Sequence, residues 1–291
     1  MPGTMRKHWV IIMNKKWYKL VFEQLDPIHI GKTAYGVISE TRIFIPGWTM
    51  WGALINSYAG KIGLEPDNFK DVQHLFERVT CFYPSFDNEG NAVLFPKFEG
   101  GELYLGADYP ENVFRMEFTD TFVSTAINPI SLTAEEESLH EMEVILPKSK
   151  RNKRQIYWSG LIGIEAENID KMSNFFEEGR LEITVGGDSR YGLGRLRLIS
   201  KRGEDGEALG QWGINEKGEL NIREGVTANY IEFSTGSHFL KGKTEYIIIE
   251  FNFQKAIPEV KESRLCIIPG SKIRNTNKNM ELKKGVLLTV K

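Results

Sequence analysis

Leu181-Glu182-Ile183-Thr184-Val185 runs into Gly186-Gly187-Asp188-Ser189-Arg190-Tyr191-Gly192-Leu193-Gly194-Arg195, and Leu196 to Ile199 follows. Alternation makes 181–185 a strand, and Leu196 to Ile199 reads as the next one. No helix opens after the glycines, so this is not the turn of a dinucleotide-binding βαβ unit. It also lacks the GxxxxGK[ST] of a P-loop. Its plain reading is a β-hairpin turn whose glycines permit positive φ. A functional reading stands beside it. Four glycines in nine positions remove Cβ atoms, so that backbone can approach a ligand and successive N–H groups can form an anion-binding nest. Arg190 and Arg195 add positive charge, Tyr191 offers a stacking face, and Ser189 a hydroxyl.

Upstream, Ile169, Met172, Phe175 and Phe176 share the inner face of an amphipathic helix over 170–178, with Asp170 as a candidate cap and Gly179 as its stop. Further back, Trp17 to Leu25 reads as a strand with Tyr18, Leu20 and Phe22 on one face, ended by Asp26-Pro27. Met50, Leu54 and Tyr58 mark a helix over about 49–58, with Thr49 as candidate N-cap and Gly60 as stop. A second helical segment is expected over 68–77, then strands and long loops from Thr80 to Phe122. Thr133 to Leu139, with three consecutive glutamates, is expected to be exposed.

Lys148, Lys150, Arg151, Lys153 and Arg154 place five positive residues in seven. They lie between apolar Val144-Ile145-Leu146 and the strand pattern resuming at Gln155, which suggests a protruding β-hairpin with a basic tip. The tip is either a solvated loop or a finger laid against phosphates. Residues 201–225 hold six glycines and many charges and read as a linker or extended loop, and the chain from Tyr230 on reads as all β.

The 291 residues, 41% hydrophobic and 26% charged, are ordinary for a globular protein of one or two domains. The net charge of −2 gives no global basic excess, so any nucleic-acid site must be a local concentration. Cys81 and Cys266 stand apart from each other and from any histidine cluster, which argues against a zinc site or disulfide framework and fits a reducing cytoplasm. No cofactor and no metal is expected. No apolar run approaches the ~20 residues of a membrane span, and Trp9 to Met13 is too short for a signal-peptide core. His29, with Lys32 and Tyr35 nearby, could be the acid–base group of a metal-independent ribonuclease, or a loop histidine held by a backbone hydrogen bond.

Two separated motifs resemble one family. Pro27-Ile28-His29-Ile30-Gly31, then Phe44-Ile45-Pro46-Gly47-Trp48-Thr49-Met50-Trp51-Gly52-Ala53-Leu54, resembles the start of the RAMP superfamily (repeat-associated mysterious proteins) of CRISPR-associated proteins. There a first strand ends in an H-x-G turn and an IPG segment opens the first helix. Gly186 to Arg195 resembles that family's glycine-rich loop. Thr125-Ala126 to Glu143, with Ala134-Glu135 and Leu139, is similar to a less specific family segment. The resemblance covers 17–200; the rest matches loosely through Ile268-Pro269-Gly270-Ser271.

The resemblance implies an α+β, ferredoxin-like (RRM-like) βαββαβ core with an inserted β-hairpin and a β-rich C-terminal extension. The domains would be 1–200, which binds RNA, and 201–291, a second degenerate ferredoxin-like domain in one reading. It implies crRNA held against Gly186, Gly187, Ser189, Arg190, Tyr191, Gly192, Gly194 and Arg195, the basic run, His29 and Lys32. Target RNA and other effector subunits are further partners. Target-cleaving members carry an Asp in the loop before the IPG segment, whereas Gly31 to Arg42 holds only Glu40 as an acid. Repeat-processing members place the glycine loop near the C-terminus, whereas about 95 residues follow it here. Both departures point to a non-catalytic crRNA-binding subunit of a type III-like complex. The alternative is a repeat-processing endoribonuclease using His29 and Tyr35.

Overall fold

The computed structural model describes residues 15–134, 138–233, 238–252, 257, 259–274 and 279–290. Trp9 to Met13, Glu135 to Glu137 and the side chain of Tyr35 lie outside the described residues.

The first half holds β1 (Lys15–Gln24), β2 (Gly31–Tyr35), β3 (Ile38–Thr41), α1 (Gly47–Ile62), β4 (Tyr83–Ser85), β5 (Pro96–Glu99), β6 (Glu102–Leu105), β7 (Tyr109–Pro110), α2 (Glu111–Phe118), β8 (Thr119–Ser124) and β9 (His140–Ile145). Then come β10 (Tyr157–Glu165), α3 (Ile169–Ser173), β11 (Glu182–Thr184), β12 (Arg195–Glu204) and α4 (Gly206–Gln211). The C-terminal part is β13 (Glu224–Val226), β14 (Tyr230–Glu232), β15 (His238–Lys241), β16 (Thr244–Asn252), β17 (Glu259–Ile267), β18 (Lys272–Arg274), β19 (Met280–Lys283) and β20 (Val286–Thr289).

The central sheet runs β11–β12–β1–β10–β4, with every neighbouring pair antiparallel. The connections β1–α1–β4 and β10–α3–β12 each skip one strand, which is the split βαβ order of a ferredoxin-like sheet. The expected strand–helix order is therefore present, with β11 as a fifth, outer strand. Leu20 and Phe22 of β1 are buried in one core with Met50 and Leu54 of α1 and with Met172, Phe175 and Phe176. Tyr58 of α1 meets the Phe175 ring edge-on with centroids 5.2 Å apart, tying α1 to the segment that follows α3. Trp17 and Val21 alternate to the opposite face, where the Trp17 indole donates to Glu216 O at 2.8 Å.

Local details depart from the sequence expectation. α1 starts at Gly47 behind Pro46, not at Thr49, and no side chain caps it. It runs through Gly60 to a left-handed Gly63. Asn168, not Asp170, precedes α3, and its side chain makes no capping bond. The segment expected as a helix over 68–77 is two short 3₁₀ turns, Pro66–Asp71 and Gln73–Phe76. α2 lies where only strands and loops were expected; it packs Phe114 and Phe118 inward. The expected loop over 201–225 holds in part: its first half is the end of β12 followed by α4, which Asp205 caps, with Leu209 and Trp212 entering the core, and residues 212–223 lie outside any helix or strand.

The expected hairpin around 148–154 is present but short: Lys148 and Gln155 form one antiparallel bridge, with Ser149 N donating to Arg154 O and Ile156 N to Pro147 O, each at 2.9 Å. β9 pairs with β8 and β3, while β10 belongs to the central sheet, so the basic run joins two sheets. The inserted hairpin is β8–β9, in the sheet β2–β3–β9–β8. Among the described residues no helix follows Gln211, as the all-β expectation requires. The C-terminal strands pack on the first half: Cys81 N donates to Asn229 Oδ1 at 3.0 Å, and the Tyr83 hydroxyl to Ala228 O at 2.6 Å. No described helix is long and apolar enough to cross a membrane.

Candidate nucleic-acid interface

The candidate residues gather around the end of β1. Gln24 N donates to Ile156 O at 3.3 Å on one side, and Leu25 N to Arg195 O at 3.0 Å on the other. The stem of the basic loop and the stem of the glycine loop therefore flank one strand end, two interstrand spacings or about 10 Å apart. The buried Gln24 side chain fixes this junction. Its amide donates to Asp26 O at 2.9 Å and Ile145 O at 2.8 Å, and its oxygen accepts from the Trp158 indole at 3.0 Å. Sequence reasoning missed Gln24; a glutamine ending an apolar strand just before Asp-Pro was the available signal.

The glycine loop is pinned at both ends and open at its tip. Gly187 N donates to His29 O at 3.0 Å and Gly194 N to Pro27 O at 2.9 Å. A Cβ at Gly186 would lie 2.0 Å from His29 O, and one at Gly194 would lie 2.2 Å from Val185 O. Those glycines are therefore required by close backbone approach within the protein itself. Leu193 is buried against Met142 and Val144 of β9. Between these anchors, Ser189–Tyr191 forms a 3₁₀ turn bounded by left-handed Asp188 and Gly192. A Cβ at Gly192 would meet nothing within 4 Å, and Tyr191 is 81% exposed. Arg190 is exposed beside it. Arg195 is already engaged: its Nε donates to Asp26 Oδ2 at 2.5 Å, and a second nitrogen lies 3.7 Å from Glu182. The bond and the charge of Asp26 push its pKa further up.

His29 is buried. Its Nδ1 lies 2.7 Å from Glu143 O, an acceptor only, so Nδ1 is the donor. Nε2 then accepts the Ser39 hydroxyl at 3.3 Å. Both ring nitrogens are thus used in holding the 27–31 turn to β9 and β3, directly under Gly186 and Gly187. Lys32 is 3.0 Å from Glu40 and 3.5 Å from Glu111. Glu40 also pairs with Arg115 at 2.8 Å, and Arg115 reaches Glu143 at 2.6 Å. Burial pushes the Glu111 carboxyl up, but the bond from Arg115 and the charges of Lys32 and Arg115 outweigh it and hold it low. Lys32 and Glu40 therefore belong to one ionic cluster with Glu111 and Arg115, and Lys32 stands at its exposed side.

The basic loop is compact. Buried Ser149 donates to Glu117 Oε1 at 2.6 Å, and Lys150 N to Glu117 O at 2.9 Å. Lys150 Nζ donates to Thr119 O at 2.7 Å, and the Arg154 guanidinium lies 4.6 Å from the Phe86 ring centroid. Lys148, Lys150, Arg151, Lys153 and Arg154 are nevertheless exposed. A turn built on the Ser149–Glu117 bond thus presents cations to solvent beside the glycine loop.

No protein-family model and no curated protein matches the sequence. Solved structures do match in fold. A chain in the cryo-EM structure of the Type III-B Cmr-beta bound to cognate target RNA and AMPPnP superposes with a TM-score of 0.59 at 14% identity. The match covers 94% of this chain and 99% of that one. A chain of the Type III-B Cmr-beta bound to cognate target RNA gives the same score and identity over 93% and 99%. The fold of this chain, over nearly its whole length, is that of chains found in the Type III-B Cmr-beta.

Proposed function

We propose that this chain is a non-catalytic, crRNA-binding structural subunit of a CRISPR effector ribonucleoprotein, with other protein subunits and RNA as its partners. The observation that carries this reading is the junction at the end of β1. It sets an open glycine turn with exposed Tyr191 and Arg190 beside a turn presenting five cations. Cations suit phosphates and the tyrosine face suits an unstacked base, which together make a single-strand RNA surface despite a net charge of −2. The fold shared with chains of an RNA-bound Cmr-beta supports the same reading.

Binding is favoured over cleavage by the surroundings of His29, the candidate acid–base group, and of Glu40, the one acid in the loop before the Ile45-Pro46-Gly47 segment. The ring nitrogens of His29 hold backbone and Ser39, and Glu40 is neutralised by Lys32 and Arg115. Neither group is left exposed and unengaged for a reacting hydroxyl. The test incubates the protein with CRISPR repeat RNA in EDTA and scores both a gel shift and cleavage. A shift without cleavage supports the reading. Cleavage in EDTA that is lost in His29→Ala replaces it with the ribonuclease.

A further inference from the structure

A cavity between the first half of the chain and the C-terminal strands shares no residue with the glycine loop or the basic run. It measures about 150 Å³, the size that takes a single aromatic ring system. Phe44, Phe98, Leu103 and the Tyr230 ring form its apolar wall, and all four are buried. The Phe44 and Tyr230 rings are themselves paired, with centroids 6.1 Å apart. A wall built from rings favours a flat aromatic ligand.

The polar groups of the cavity differ in what they have left to offer. Arg42 is spent: Nη1 donates to the Tyr230 hydroxyl at 3.0 Å and to Glu245 Oε1 at 2.8 Å, and Nη2 to Glu245 Oε2 at 3.3 Å. Arg115 is likewise held by Glu40, Glu111 and Glu143. Neither arginine is left to clamp an anion. Glu111 is only half used. Arg115 Nε and Nη2 and Lys32 Nζ all reach its Oε1, at 3.0, 2.6 and 3.5 Å, and among the described residues no donor bonds Oε2. Against the push of burial, the bond from Arg115 and the charges of Lys32 and Arg115 keep this carboxyl ionised at neutral pH, so it can only accept. A ligand that meets it must bring N–H or O–H donors. Lys32 and Lys243 line the same cavity and are exposed, which places them at its mouth, with Lys243 Nζ 5.8 Å from the Phe98 ring centroid.

A flat ring with adjacent N–H donors and an attached anion meets all of these conditions. Guanine carries N1–H and the N2 amino group side by side, a two-donor edge that fits a carboxylate. Adenine and cytosine set their amino group beside an acceptor, and uracil sets its N–H between two acceptors, which a carboxylate repels. We propose that this cavity binds a guanine nucleotide, with the base against the Phe44, Phe98 and Tyr230 wall, its N1–H and amino edge toward Glu111, and its phosphate at Lys32 and Lys243. The site lies beyond the RNA surface of the glycine loop and does not depend on it. A free nucleotide and a guanosine within single-stranded RNA share this chemistry, and the test separates them.

The experiment titrates the full-length chain calorimetrically with GMP, IMP and guanosine, and then with two oligouridylates, one of which carries a single guanosine. GMP is expected to saturate one site. IMP lacks the amino group and is expected to bind weaker by about tenfold or more. Lys243→Ala removes an exposed side chain and is expected to weaken GMP several-fold while leaving guanosine unchanged, because only the phosphate reaches that lysine. Glu111→Gln is expected to bring GMP and IMP within about threefold of each other, with the thermal midpoint confirming that the variant is folded. GMP displaced by the guanosine-bearing oligomer and not by the plain one supports the site with RNA as its source. GMP displaced by neither supports it with the free nucleotide as its source. No saturable binding of GMP or of the guanosine-bearing oligomer overturns the proposal and leaves the reading of the glycine loop untouched. Equal affinity of wild type for GMP and IMP overturns it too, and so does GMP affinity unchanged in both variants.

Discussion

Gly47 and Gly285 meet backbone to backbone: a Cβ at position 47 would lie 2.4 Å from the Cα of Gly285. Gly47 opens α1, and Gly285 is in the turn between β19 and β20. The turn is locked in place by Gly285 N donating to Val79 O at 2.7 Å and Lys284 N to Glu77 O at 2.7 Å. The glycine of the Ile45-Pro46-Gly47 segment is thus a packing requirement that joins the start of α1 to the β19–β20 turn. It is not part of the candidate RNA surface.

Gly47→Ala is therefore expected to destabilise the fold by about 1–3 kcal/mol, the usual range for forcing atoms into a filled space. Denaturant unfolding measures it. A loss under about 0.5 kcal/mol would mean that the turn yields without resistance.

Leu54 is fully buried on α1. Leu54→Ala is expected to cost about 2–5 kcal/mol, with the denaturant slope unchanged. A cost below about 1 kcal/mol would place the core face of α1 elsewhere.

The pairing partners of the elements explain which parts were legible. β1 and α1 announce themselves by local periodicity, and both are found; the helix expected over 170–178 is cut to Ile169–Ser173, and Phe175 and Phe176 are buried beyond its end. The basic run could not be placed that way. Val144 to Leu146 and Gln155 onward look like one hairpin, but β9 pairs with β8 and β10 with β1, choices made by distant residues. α2 is masked by an aromatic-rich segment, although Pro110-Glu111 is a readable helix start and Phe114 and Phe118 are one turn apart. Within the site, the glycines were visible as glycines. That Gly186 and Gly194 serve close packing and Gly192 faces open space depends on where His29 and Val185 lie. The engagement of Arg195 by Asp26 likewise spans the chain.

The Glu111 carboxyl is held below the usual carboxylate range in the folded chain, net of an opposing push from burial. A depressed folded pKa adds stability that is present above the unfolded pKa and is lost as pH falls through the folded value. Wild-type stability is expected to drop on acidification from about pH 5 to pH 3, and Glu111→Gln to show a smaller drop over that window. Identical acid slopes in the two proteins would remove Glu111 from the account.

His29→Ala removes the Nδ1 donor from Glu143 O and opens a gap under the glycine loop. It is expected to cost about 1–3 kcal/mol of stability. RNA affinity, measured where the variant is still folded, should stay within about threefold of wild type, under 1 kcal/mol. Affinity lost without any loss of stability would make His29 a direct RNA contact.

The most direct test of the RNA surface is the salt dependence of binding to a single-stranded CRISPR repeat RNA in EDTA, for wild type, Arg190→Ala and Tyr191→Ala. The assembled complex is used if the isolated chain binds too weakly to measure. Each neutralised phosphate contributes about −0.7 to the slope of log K against log salt, so four contacts give about −3. Arg190→Ala is expected to weaken binding of any sequence and to shallow the slope by about 0.7. Tyr191→Ala is expected to lose about 1–3 kcal/mol of affinity with the slope unchanged, because stacking carries no counterions. Affinity and slope equal to wild type in both variants would contradict the account and leave the glycine loop as a turn that packs on His29 and nothing more.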